Sequence, residues 1–261
     1  MDLSLVLDEE GIQHELRSVG DQWALLVEDE RSERAAAAVS AFERENEPKP
    51  VVKPVEPVAR GGLAGLLFCL PLMLFFLWTG PYDPGNRFAG GAADAALLIG
   101  GEWWRAITAL TLHADAGHAA GNALIGGLFL GLLARRLGTG FALLLSMAAG
   151  ACGTLLAAEL IRRDFVSVGA STAVFAALGA LALLPGRRAL QLAGAVALLG
   201  FLGTGKRADL AGHLFGFASG LLFGYGASLL KLKPLRNRAL QLALGLIAFA
   251  APAAAWLHAL K

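Results

Sequence analysis

Residues 212–224 read GHLFGFASGLLFG, and glycine returns there at every fourth position: Gly212, Gly216, Gly220 and Gly224. Positions four apart lie on one face of an α-helix, so the glycines form a stripe that carries no side chains. Such a stripe lets a neighbouring helix approach closely, and it is typical of helix packing inside membranes. The stretch therefore predicts a membrane helix that packs tightly against another helix, with His213 beside the first glycine.

The chain around this stretch is strongly apolar. Its 261 residues are 56% hydrophobic, with a mean hydropathy of +0.59, whereas soluble domains are about 45–50% apolar. This composition disfavours a soluble enzyme and indicates a polytopic, all-α membrane protein. Because a membrane helix needs about 20 apolar residues, we predict seven spans: 62–79, 113–134, 140–160, 168–184, 189–204, 209–230 and 239–258. Residues 80–112 form a long apolar connection that we expect to lie in or on one leaflet.

The first 60 residues differ from the rest in composition and charge. They hold 14 acidic and 7 basic residues, whereas residues 61–261 hold 7 acidic and 15 basic ones. We predict a small soluble α+β module over residues 1–47, a proline-rich linker over 48–60 and a transmembrane domain over 61–261. The module is expected to contain a helical turn at Leu3–Leu7, strands Gln13–Val19 and Trp23–Glu28, and a helix Glu30–Glu45. Its partner is not identified by the sequence.

The distribution of charge also bears on partners and orientation. The chain is not basic overall, so a nucleic-acid partner is not expected. If the N-terminus is cytoplasmic, the breaks between spans carry 11 Lys and Arg residues inside and 7 outside, which favours that orientation. With seven spans the C-terminus then lies on the opposite side. Cys69 and Cys152 both lie in apolar runs and have neither metal-ligand spacing nor a disulfide framework.

Four polar side chains near the starts of three spans indicate a catalytic site. Spans two, four and six run in the same direction, and they carry His118 with Asn122, Ser171, and His213. At about 1.5 Å per residue, Ser171 and His213 lie roughly 5–6 Å below their helix starts. Polar groups at such depth are costly in a membrane and mark functional sites. The three helices therefore deliver these side chains to one depth on one side.

These residue types fit acyl-transfer chemistry. A serine hydroxyl becomes a nucleophile when a histidine base is in reach. Histidine and asparagine side chains can stabilise the oxyanion of the tetrahedral intermediate, and His118 and Asn122 share a helix face. The alternatives are a serine bonded to its own backbone and histidines at the membrane interface. A metal site at His113, Asp115 and His118 lacks the spacing of a zinc helix, so no metal is expected.

Three motifs, in order, resemble those of the rhomboid family of intramembrane serine proteases. The first is Gly101-Glu102-Trp103-Trp104-Arg105 with the following His113, His118 and Asn122; the second is Gly169–Ala173; the third is Asp209–Phe217. The resemblance covers residues 62–230. It implies a six-helix rhomboid-like bundle, and the seventh C-terminal span fits the variant of the family with one helix added after this core.

The resemblance also implies an activity and a role for each matched residue. The expected activity is hydrolysis of peptide bonds in single-span or polytopic membrane proteins, within the lipid bilayer near its outer face and without a cofactor. The alternative is a catalytically inactive rhomboid-like protein that binds membrane segments. The implied roles are nucleophile for Ser171, general base for His213, oxyanion hole for His118, Asn122 and the Ser171 backbone N–H, and support for His113, Trp104 and Arg105.

Two positions depart from the family pattern. Thr172 stands where the family usually has glycine, and Gly212 stands where it usually has alanine. Bulk is thus added on span four and removed on span six. We expect the two changes to compensate if the positions touch, with Gly216 and Gly220 continuing the same contact.

Overall fold

The computed structural model describes residues 3–20, 22–46, 61–83, 87–161, 166–184, 209–229 and 237–261. The chain divides into two compact units, Met1–Val55 and Glu56–Lys261. The predicted linker 48–60 and the predicted fifth span 189–204 lie outside the described residues.

The N-terminal unit is a β-hairpin packed with helices. It consists of α1 (Leu3–Glu9), β1 (His14–Val19), β2 (Gln22–Val27), a short 3-10 helix (Asp29–Arg31) and α2 (Ser32–Glu45). The strands are antiparallel, with Val19 opposite Gln22 across the turn. Its small core consists of Leu7, Ile12 and Ala35, against which Leu25 and Val27 pack. The predicted mixture of helix and hairpin in this region is confirmed.

The second unit is helical. In chain order its elements are α3 (Gly61–Thr79), α4 (Arg87–Gly91), β3 (Ala93–Asp94), α5 (Ala95–Ile99), α6 (Arg105–Thr108), a 3-10 helix (Ala109–Thr111), α7 (Ala116–Leu137), α8 (Thr139–Ile161), β4 (Val166–Ser167), α9 (Ser171–Leu183), α10 (Leu210–Leu229) and α11 (Arg238–Ala259). Five of these helices, α3, α7, α8, α10 and α11, are long and apolar enough to cross a membrane. The predicted polytopic helical fold is confirmed.

The short helix α9 lies at the centre of the bundle. It has 13 residues, of which ten are buried, and it packs against α7, α8 and α10. Its contact with α10 is made through glycine: a methyl group on Gly220 would overlap the Ala176 carbonyl, and one on Gly216 would overlap Thr172. A helix enclosed in this way need not span the whole hydrocarbon layer by itself.

Two helices begin later than the sequence predicts. The second span was predicted from residue 113, but α7 begins at Ala116 because the Asp115 side chain caps it, accepting a hydrogen bond from His118 N at 2.8 Å. The fourth span was predicted from residue 168, but α9 begins at Ser171. Gly169 has a φ of +131°, which excludes it from a right-handed helix. His113 therefore precedes its helix, and Ser171 is the first residue of its own.

The connection between α3 and α7 has a structure of its own. Its strand β3 pairs antiparallel with β4, bringing Ala93 opposite Ser167 and Asp94 opposite Val166. Arg105 is buried; its Nε donates to Glu102 Oε2 at 2.6 Å and its Nη1 donates to the Ala92 carbonyl at 3.0 Å. The connection is thus fixed to the strand that directly precedes the start of α9.

The C-terminal helix α11 packs against α8, α6 and α4. Gln241 fixes one end of it: its Nε2 donates to the Leu137 carbonyl at 2.9 Å, and its Oε1 accepts from Phe141 N at 3.1 Å. Both partners lie at the junction of α7 and α8. The Gln241 side-chain amide therefore has both a donor and an acceptor partner. Without them, burying this polar group in an apolar environment would be costly.

Candidate active site

Ser171 and His213 are brought together by the contact between α9 and α10. Ser171 Oγ lies 2.8 Å from His213 Nε2, although 42 residues separate them. The imidazole is 5% exposed and lies against the ring of Phe175, with 4.5 Å between centroids. Its buried Nδ1 has no hydrogen-bond partner among the described residues. The pair has the geometry in which a histidine can take a proton from a serine hydroxyl.

Asp209 holds the start of the helix that carries His213. Its Oδ1 accepts a hydrogen bond from Gly212 N at 2.8 Å, and its Oδ2 accepts one from Ser167 Oγ at 2.5 Å. The carboxylate therefore caps α10 and joins it to the strand before α9. An aspartate just before an apolar run is a capping signal in the sequence, whereas nothing local in the sequence indicates the bond to Ser167.

The backbone before Ser171 is held by two hydrogen bonds from the first loop. Gly169 N donates to the Ala109 carbonyl at 2.9 Å, and Ala170 N donates to His113 Nε2 at 3.2 Å. Gly169 is required both by its positive φ and by space, since a Cβ there would lie 2.8 Å from His118 Cε1. The segment Gly169–Ser171 is called the nucleophile loop below.

Three hydrogen-bond donors lie in or beside the nucleophile loop. His118 Nδ1 accepts from Ala114 N at 3.4 Å, which assigns the ring proton to Nε2, the nitrogen close to Gly169. Asn122 Nδ2 is buried and has no acceptor in the part of the chain that the structure describes. The Ser171 N–H lies in the first turn of α9, where backbone donors lack helical partners. These are the three groups that the sequence predicts for an oxyanion hole.

His113 supports the loop as a neutral acceptor. Burial, with a smaller contribution from nearby His118, lowers the pKa of His113 to about 4. The ring is therefore uncharged near neutral pH, and its Nε2 lone pair can accept the Ala170 N–H. This histidine contacts the backbone of the nucleophile loop, next to Ser171.

Trp104 and Arg105 lie in the folded first loop, away from the serine. Arg105 joins Glu102 to Ala92 within the connection. The Trp104 ring contacts the ring of His258 on α11, with 4.4 Å between centroids. None of the described contacts joins either residue to Ser171, and their supporting role stays a prediction.

Thr172 and Gly212, the two positions that depart from the family pattern, have closer neighbours than the sequence indicates. A methyl group on Gly212 would lie 3.0 Å from Thr172 Oγ1, but it would first overlap the Asp209 carboxylate. Thr172 packs more closely against Gly216, where a methyl group would lie 2.5 Å from its carbonyl oxygen. The expected compensation thus involves Asp209 and Gly216 as well, and it stays a prediction.

The described side chains do not form a metal site. Within the residues that the structure covers, no group of three or more His, Cys, Asp and Glu side chains could hold an ion. Cys69 and Cys152 are free thiols, and Cys69 Sγ donates to the Ala123 carbonyl at 2.9 Å.

The fold and the polar cluster together define the class of protein. It is an integral, multi-pass helical membrane protein in which a serine and a histidine meet at the end of the bundle where α7, α9 and α10 begin. Residues 100–229 match the model of the Rhomboid domain, a range that includes every candidate catalytic residue. The chain belongs to the rhomboid family, as the three sequence motifs predicted.

Two relatives from Bacillus subtilis (strain 168) share this similarity. The chain is 35% identical over 119 residues to the rhomboid protease GluP, a match that spans 44% of this chain but only 23% of GluP. It is 29% identical over 171 residues to YdcA, a relative that is also named as a rhomboid protease. That match spans 61% of this chain and 80% of YdcA.

Proposed function

We propose that this protein is an intramembrane serine endopeptidase that hydrolyses peptide bonds of transmembrane substrates by a Ser171–His213 dyad. The observation that carries the proposal is the 2.8 Å distance between Ser171 Oγ and His213 Nε2. Membership of the rhomboid family and similarity to proteins named as rhomboid proteases support it.

The proposed reaction has two steps. Ser171 Oγ attacks the scissile carbonyl carbon while His213 Nε2 takes the hydroxyl proton. The tetrahedral intermediate collapses to an acyl-enzyme ester, and the same nitrogen returns the proton to the leaving amine. Water then attacks the ester with His213 again as base, releasing the second product and restoring the serine. No carboxylate hydrogen-bonds to His213 Nδ1 among the described residues, so the proposed unit is a dyad.

Charge on the intermediate is stabilised by the donors beside the nucleophile loop. We assign His118 Nε2–H, Asn122 Nδ2–H and the Ser171 N–H to the oxyanion. The unsatisfied, buried amide of Asn122 supports this assignment, because a buried donor without a partner is costly unless a substrate uses it. Donors fixed before the substrate arrives need no reorganisation in the transition state.

The proposed substrates are membrane segments of single-span or polytopic proteins. Ser171, His213 and His118 all lie within the first four residues of their helices, so cleavage would occur near one face of the bilayer. With the N-terminus in the cytoplasm, as the distribution of Lys and Arg favours, that face is the outer one. The C-terminus would then lie outside.

The test is cleavage of a panel of single-span substrates by purified protein in liposomes. Ser171→Ala and His213→Ala are each expected to abolish cleavage, and the double variant should be hardly worse than either, because nucleophile and base act as a unit. Ser146→Ala is the control, since Ser146 is also a serine of a membrane helix but lies on α8. Binding of the substrates without any cleavage by the wild type would instead favour the inactive, binding form of the family.

A further inference from the structure

The C-terminal helix α11 contacts the first loop through one buried tryptophan. Trp256 is 4% exposed, and its Nε1 donates a hydrogen bond to Thr111 Oγ1 at 2.9 Å. The two residues are 145 positions apart in the chain. Thr111 Oγ1 in turn donates to the Thr108 carbonyl at 2.6 Å. The indole N–H thus binds the last residue of the 3-10 helix Ala109–Thr111. The Thr111 hydroxyl then both accepts and donates a hydrogen bond.

The residues next to Thr111 are those that hold the nucleophile loop. The Ala109 carbonyl accepts from Gly169 N at 2.9 Å, and His113 Nε2 accepts from Ala170 N at 3.2 Å. These two hydrogen bonds flank Thr111 on both sides in sequence. A displacement of residues 109–113 would therefore be passed to the backbone that presents the Ser171 hydroxyl and N–H.

Apolar packing also connects Trp256 to the first loop and to the nucleophile loop. Trp256 forms one buried cluster with Phe88, Ala92 and Leu112, and Val168, which directly precedes the nucleophile loop, packs against this cluster. The indole also fits against Gly91, where a Cβ would overlap the ring. These contacts restrict the ring, so it can fix the position of what it touches.

We propose that Trp256 is a positioning residue, through which the C-terminal helix holds residues 109–113 and so the nucleophile loop in register for reaction. The inference rests on the proposed protease function. The indole N–H lies in an apolar cluster, where a lost partner is not replaced by water. Loosening the loop misplaces Ser171 and its N–H relative to His213, and small misplacements of reacting groups lower the rate rather than the binding of substrate.

The test compares variants that remove the hydrogen bond from its donor side and from its acceptor side. Trp256→Phe removes the indole N–H and keeps an aromatic ring, and Thr111→Val removes the acceptor with little change of shape. Each is expected to lower kcat about tenfold with KM little changed. The double variant should be no worse than either alone, since both break one link. Thr111→Ser, which keeps the hydroxyl, should restore most of kcat.

The matched control is Trp78→Phe. The ring of Trp78 lies 5.8 Å from that of Trp256, in the same aromatic group, but Trp78 makes no described hydrogen bond to residues 109–113. The control should keep the wild-type kcat. Equal kcat for Trp256→Phe and Trp78→Phe, or Thr111→Ser as slow as Thr111→Val, would overturn the inference while leaving the protease function intact.

A second measurement does not depend on cleavage. Backbone hydrogen exchange of Gly169 and Ala170 in detergent should become faster in Trp256→Phe and Thr111→Val than in Trp78→Phe. If the wild type cleaves no substrate, the proposed function fails, and unchanged exchange at these two amides would independently reject the link. Faster exchange at Gly169 and Ala170 with kcat unchanged would also reject it, because the loop would then be loosened without consequence for reaction.

Discussion

Gly216→Ala is expected to separate the two helices that carry Ser171 and His213. A methyl group on Gly216 would lie 2.5 Å from the Thr172 carbonyl oxygen and 2.9 Å from its Cγ2, whereas ordinary contact begins at 3.4 Å. Backbone cannot rotate away as a side-chain tip can, so the helices must part by about 0.9 Å. A displacement of this size along the line between Ser171 Oγ and His213 Nε2 would lengthen their distance from 2.8 Å to about 3.7 Å, which is too long for a hydrogen bond.

The expected result is a loss of both rate and stability. Overpacking of a close contact costs about 1–3 kcal/mol in the free energy of unfolding, and misplacement of the base by about 1 Å can lower the rate on the order of 10²-fold. Cleavage of a single-span substrate and thermal unfolding would be measured in the same detergent. Gly226→Ala is the control on the same helix, because a Cβ there meets nothing within 4 Å. Equal rates for the two variants would refute the reasoning that backbone contact sets the distance of the dyad.

Three further changes test the surroundings of the dyad. Asn122→Ala should slow cleavage on the order of 10²-fold without abolishing it, because one of three oxyanion donors is lost; an unchanged kcat would remove Asn122 from the site. Asp209→Ala should lower the free energy of unfolding by about 1–3 kcal/mol, since the cap of α10 and the bond to Ser167 both disappear, and wild-type stability in denaturant would contradict this. Because burial lowers the pKa of His113 to about 4, the unfolded chain takes up a proton between pH 6.5 and 4 that the folded chain does not. The contribution of His113 to the free energy of unfolding is therefore fully present above about pH 6.5. It falls by up to about 3 kcal/mol as the pH drops to 4. His113→Gln should flatten this dependence, and the same slope in both proteins would exclude the assignment.

The membrane helices could be predicted from the sequence because their signal is local. Apolar runs between charged breaks gave α3, α8 and α11 to within a few residues. The glycine stripe from Gly212 to Gly224 predicted a close helix contact, and the described contact between α9 and α10 is made through Gly216 and Gly220. Both patterns depend only on residues within one helix.

The helix starts were less accurate because hydropathy does not detect caps. The apolar residues around His113 extended the predicted span to residue 113. The helix begins only at Ala116, because the Asp115 side chain caps it by accepting the His118 N–H. Gly169 has a positive φ that composition alone does not reveal. These two differences matter for the site, since His113, Gly169 and Ala170 lie outside the helices in the structure.

The hydrogen bonds between distant segments could not be predicted from the sequence. The bond from Ser167 to Asp209 and the bond from Trp256 to Thr111 span 42 and 145 positions, and neither leaves a periodic pattern. Such contacts depend on how helices meet in three dimensions. The candidate residues of the site, including His113, could therefore be named from the sequence, whereas the hydrogen bonds of Ser167 and Trp256 could not.

The order of the site residues along the chain has a consequence for biosynthesis. Asn122, Ser171 and His213 lie on three different helices, and Trp256 follows them all. A chain emerging from the ribosome inserts its N-terminal helices first, so a nascent chain in which α10 has not yet been synthesised has no dyad. The link from Trp256 to Thr111 can form only after the C-terminal helix α11 has been synthesised. If the proposed activity is correct, the nascent protein passes the insertion machinery, itself made of membrane helices, before it can cleave any of them.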